Sequence, residues 1–63
     1  MTLRVLWNGS LYLAHPQDRD AARWLRETAA GDAQWWGGAL VVEDQHIVPF
    51  LDVAIAAGME IAP

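Results

Sequence analysis

The chain has 63 residues, no cysteine, eight carboxylates against four arginines with no lysine, and a formal net charge of −4. This excludes a second domain and any disulfide staple or thiolate metal site. The lack of a basic patch argues against nucleic-acid binding and against attraction to anionic membranes. Its hydrophobic fraction is 54%, high for a chain that buries only about 60% of its unfolded surface. A homodimer is therefore expected, because a mate can cover apolar surface that so small a core cannot hold.

The first element is a hairpin over 3–13. Alternation puts Leu3, Val5 and Trp7 on one face of a strand and Arg4 and Leu6 on the other. Asn8-Gly9 predicts a type I′ turn, which needs positive φ at both central residues. On the return strand Leu11 and Leu13 share a face and Tyr12 points the opposite way. Asn8-Gly9-Ser10 also matches a glycosylation acceptor, but no secretory leader is visible in Met1–Trp7, so it reads as a turn and the cytoplasm is the expected compartment. A helix over 17–30 follows Pro16, with Asp18 and Asp20 near its positive end. Ala21 and Leu25 form its buried stripe, continued by Thr28 or Ala29, with Trp24 at the edge. Arg19, Arg23 and Arg26 face water, and Arg23 can pair with Glu27. Gly31 is the expected stop.

A Trp/Gly loop spans 32–38, and a strand over 39–42 is apolar on both faces. Residues 43–48 admit two readings, the turn of a second hairpin or a lead-in to a helix. Pro49 is comfortable only in a first turn, which places that helix at 49–57. Leu51 and Ile55 with Phe50, Ala54 and Ala57 are expected to bury it over most of its girth, with Asp52 and Ala56 marking the only wet side. Gly58 ends it, and a terminal strand covers 59–62. Pairing of that strand parallel to 39–42 would require a right-handed crossover. The sum is a small two-layer α+β domain in the order β-β-α-β-(β)-α-β, with two helices packed on one face of a small mixed sheet.

Four tryptophans in 63 residues are the strongest functional signal. Trp7 and Trp24 are expected to close the core. Trp35 and Trp36 are adjacent, so in extended chain their rings point opposite ways and at most one enters a core easily. Tryptophan is a frequent anchor of protein interfaces. Trp35, Trp36, Tyr12 and Trp24 are accordingly the candidate partner-binding residues. His15 and His46, without cysteine, form no metal spacing, and no phosphate-binding glycine motif or lysine is present. No cofactor or metal is expected. The preferred function is a non-enzymatic protein-binding module, a small regulator or inhibitor that docks through tryptophan anchors within an acidic rim. The small size would also suit an inhibitor made by a virus or mobile element. The alternative is a small-molecule or nucleic-acid-fragment binder that uses Trp35 and Trp36 as a stacking surface. The third reading is a small enzyme or enzyme subunit that uses His46, with Asp44 or Glu43 as its orienting acid.

Overall fold

In a computed structural model that describes all of Met1–Pro63, alternation along the first two strands sets up the whole sheet. Strand β1 (Thr2–Trp7) pairs antiparallel with β2 (Leu11–Pro16), Leu3 opposite Pro16, Val5 opposite Ala14 and Trp7 opposite Tyr12. The connection is not the expected type I′ turn. Only Gly9 has positive φ, +99°, while Asn8 stays on the ordinary side. The loop has three residues, and the Asn8 Oδ1 accepts from the backbone N–H groups of Ser10 (3.2 Å) and Leu11 (2.8 Å). The asparagine thus shapes the turn through its side chain rather than through its backbone.

Helix α1 (Arg19–Thr28) is shorter than 17–30 at both ends. Asp18 is its N-cap. One carboxylate oxygen accepts from the Ala21 N–H at 2.8 Å and the other from the Thr2 N–H at 2.9 Å, so one side chain fastens the helix start to β1. Gly31 does not end the helix. Ala29 is already extended, and Gly31 has no left-handed φ.

Residues expected as a loop contain a strand. Strand β3 (Trp35–Trp36) pairs with β4 (Ala39–Glu43), Trp35 opposite Leu40 and Trp36 opposite Ala39. The two glycines between them make the hairpin turn, with Gly37 at φ +58°. Residues 43–48 form a lead-in and no second hairpin. A 3₁₀ turn at Asp44–His46 runs directly into α2 (Ile47–Ala56). Pro49 is the third residue of that helix, still inside the first turn where its missing N–H has no partner to lose.

Gly58, at φ +92°, ends α2. The Met59 N–H donates to the Ala54 carbonyl and the Gly58 N–H to the Ile55 carbonyl, both at 3.0 Å. This is the six-to-one and five-to-two pattern of a Schellman cap. It turns the buried Met59 inward and releases β5 (Glu60–Ala62). β5 does not pair with residues 39–42. It lies parallel to β1, with Leu3 opposite Ile61.

The five-stranded sheet has the order β3-β4-β2-β1-β5, all neighbours antiparallel except β1 and β5. Both helices cover one face. Ala21 and Leu25 of α1, and Ile47 and Ala54 of α2, share a single buried cluster with Leu3, Ala14, Leu40 and Val42 of the sheet. Trp24 and Phe50 meet between the helices, ring centroids 6.2 Å apart. α2 is not buried over most of its girth as its composition suggests. Val48, Val53 and Ile55 are exposed, because a two-layer molecule has nothing outside its helices to cover them. No helix is long and apolar enough to cross a membrane.

Candidate functional site

Period-two alternation assigns every strand residue to one of two faces. Those opposite the helices are Thr2, Arg4 and Leu6 on β1, with Glu60 beside Thr2 on β5, Leu11, Leu13 and His15 on β2, and Ala39, Val41 and Glu43 on β4. Trp36 on β3 and Ala62 on β5 join them. The register lays them out in rows. Val41, Leu13 and Leu6 form an apolar row across three strands. On one side of it run Trp36 beside Ala39, then, with the β2–β4 register carried one residue further, His15 and Arg4. Glu43 beside Leu11 lies on the other side. Neither helix packs on this face, and the connection at 30–34 only borders it beside Leu11, Val41 and Glu43. Leu6 and Trp36 are exposed, Leu11, Leu13 and Val41 are half-buried, and the small Ala39 is buried.

The four tryptophans and Tyr12 do not converge. Trp36 belongs to the open face and is 54% exposed, whereas Trp35 points to the helix side at the sheet edge and is 38% exposed. The two rings therefore do not make one stacking surface. Each serves its own face. Tyr12 and Trp24 are half-buried against the core. Trp7 departs from its expected core role. It is 51% exposed at the end of β1, where its ring leans on Tyr12 with centroids 4.8 Å apart. The pair caps the hairpin end of the sheet, where neither helix reaches far enough to enclose it.

Two concavities accompany these surfaces. One of about 560 Å³ lies between the C-terminal half of α1 and the β3–β4 hairpin, lined by Pro16, Ala22, Arg26, Ala29, Trp35 and Gly38 among others. The second, about 590 Å³, follows the outer border of β4 beyond the short β3. Its walls include Leu11, Asp32, Val41, Glu43 and His46.

The charged groups are sparsely connected. The expected Arg23–Glu27 pair is not formed, and the single ion contact links the Met1 α-amino group to Asp18 at 3.8 Å. Asp18 has its pKa lowered, first by the hydrogen bond from the Ala21 N–H, with smaller help from the terminal ammonium and the Thr2 N–H. Glu43 accepts a 3.0 Å hydrogen bond from the Gln45 Nε2 and has no cation beside it. His46 is exposed on the 3₁₀ turn and its ring makes no hydrogen bond. No three His, Asp or Glu side chains converge on a point.

Sequence reasoning missed Leu6, Leu13 and Val41 as members of one surface. The signal was present in the alternation, which gave apolar residues to both faces of β1, β2 and β4, but the strand order that joins them was not. Compared with known protein families, curated proteins and solved structures, the chain matches none.

Proposed function

We propose that this chain is a non-enzymatic protein-binding module whose docking surface is the open face of the sheet, with Trp36 as its aromatic anchor. The observation that carries this is the uncovered row Val41–Leu13–Leu6 with Trp36 at its border. A face of this kind costs solubility in a free monomer and is a recognised mark of an interaction site. The acidic rim consists of Glu43 and Glu60 at opposite margins of the sheet, with Arg4 as an isolated cation between them. Trp24 and Tyr12 support the fold and its surface from the helix side.

A peptide-display selection tests this reading. Wild-type chain is the bait, and a Leu13→Glu variant with unchanged circular dichroism is the counter-bait. Recovered peptides should carry aromatic or aliphatic residues with Lys or Arg, and should lose binding to Leu13→Glu and Trp36→Ala. Recovery of no binder, or only of binders indifferent to both substitutions, overturns the reading.

A second reading has its own observation. The groove beside α1 offers the Trp35 ring together with the Arg26 guanidinium, a combination suited to a small aromatic anion, including a nucleotide fragment. Titration with such compounds should quench fluorescence in the wild type and not in Trp35→Phe. No quenching by any of them removes this reading.

A further inference from the structure

The proposed docking face carries a pattern that identifies its occupant. Strands lie about 4.8 Å apart, and alternate residues along one face are about 6.8 Å apart. With Leu13 as the centre, Arg4 lies one strand to one side and one step down, opposite His15. Glu43 lies one strand to the other side and one step up, opposite Leu11. The two opposite charges thus sit at mirrored distances from Leu13 on a single diagonal. Neither has an ion-pair partner in its own chain, and both are exposed.

Trp36 lies two strands from Leu13 and one step down. On an ideal sheet lattice the line from Leu13 to Trp36 is close to perpendicular to the Arg4–Glu43 diagonal. An axis along that line therefore exchanges the Arg4 and Glu43 positions, while it returns Leu13 and Trp36 to themselves. In an isologous contact residue i meets residue j and j meets i. A face with this layout satisfies that condition with its own sequence.

We infer that the open face is a twofold interface between two copies of this chain. The axis runs along Leu13 and Trp36, and Arg4 of each copy faces Glu43 of the other. This rests on the reading above, of which it names the partner. Leu13 and Trp36 each pack near their own mate. The strands of the two sheets cross at about 70°, not far from the near-orthogonal class of sheet packing. The molecule extends 26 × 23 × 18 Å. Its largest cross-section is at most about 600 Å², so two copies bury no more than the lower end of stable protein–protein interfaces. The two charge pairs set register and disfavour a slipped alignment.

The test is sedimentation equilibrium over a concentration series on the full chain. The wild type should form a dimer with Kd on the order of 10 µM, as suits an interface of this size. Arg4→Glu and Glu43→Arg should each weaken it by about tenfold or more. The double variant Arg4→Glu/Glu43→Arg should restore it to within about threefold of wild type, because the swapped charges meet again across the axis. That rescue does not depend on how well either single variant folds. A wild type monomeric at all concentrations overturns the inference. So does a dimer that ignores the charge changes but dissociates with Val53→Asp on the outer side of α2. If the chain is monomeric yet the selected peptides still require Leu13 and Trp36, the module reading stands and only the second copy is lost. If those peptides also fail, both are lost.

Discussion

Leu3 and Leu6 are three residues apart on the same strand and differ completely in circumstance. Leu3 is 0% exposed beneath the helices, while Leu6 is 46% exposed on the open face. The contrast extends across the sheet, with Ala14, Leu40 and Val42 on the covered side, and Leu13, Val41 and Trp36 on the other. Apolar residues were supplied to both sides, but two ten-residue helices can roof only one. Burial in this molecule follows from which layer exists, and hydrophobicity alone does not determine it.

The largest way to test that contrast is truncation on the covered side. Leu3→Ala or Leu25→Ala removes a fully buried side chain and should cost about 2–5 kcal/mol, enough to unfold much of so small a domain in a urea titration. Leu6→Ala, measured as a dilute monomer, should stay within about 0.5 kcal/mol of wild type. Similar losses at Leu3 and Leu6 would show that the open face is covered within the chain.

Gly58→Ala comes next. Its Cβ would meet open space, but at φ +92° any side chain is strained, so a loss of about 1 kcal/mol is expected. Gly31→Ala, at an ordinary φ, should be neutral by comparison. Thermal melts of both separate the glycine that ends a helix from the one that merely follows one.

A smaller effect is expected at Asp18, which ties α1 to β1. Asp18→Ala should lower Tm by several degrees through loss of the cap. The pH dependence has a definite sign. The folded-state pKa is below the ordinary aspartate value. The carboxylate's contribution is therefore fully present above that ordinary value and is lost as the pH falls through the lowered one. Melts at about pH 7 and about pH 2.5 should show the gap between wild type and Asp18→Ala closing in acid. A gap that persists in acid would assign the effect to something other than the ionised carboxylate.

Leu13→Glu should change the stability of the monomer little and association the most. The dilute monomer should melt within a few degrees of wild type, whereas self-association should vanish in the sedimentation series. A Tm collapse in the monomer would mean that Leu13 belongs to the core.

Local chemistry was readable in particular residues. The β1–β2 alternation, the Ala21–Leu25 stripe and the Gly58 stop each depend on neighbours within a few positions, and each has the expected structural role. Asn8, Gly31 and Trp35–Trp36 departed from expectation for reasons outside that range. Asn8 uses a side-chain hydrogen bond where the dipeptide suggested a backbone geometry. Helix α1 ends before Gly31 can act on it. Trp35–Trp36 becomes a strand only because the edge of β4 is present to pair with it. The candidate site was half visible for the same reason. Its tryptophans stood out by composition, whereas Leu6, Leu13 and Val41 become neighbours only through pairing between strands.

The sequence by itself determined the β1–β2 hairpin, both helices, β4 and the terminal strand in their order, and the apolar content of both sheet faces, because periodicity and punctuation act over one or two turns of chain. Only the tertiary structure decided that β5 joins β1, that Trp35–Trp36 pairs with β4 as a strand, and that Leu6, Leu13 and Val41 become neighbours on one face. Those outcomes depend on contacts between segments far apart in the chain, where one buried face excludes another and no local signal carries the choice.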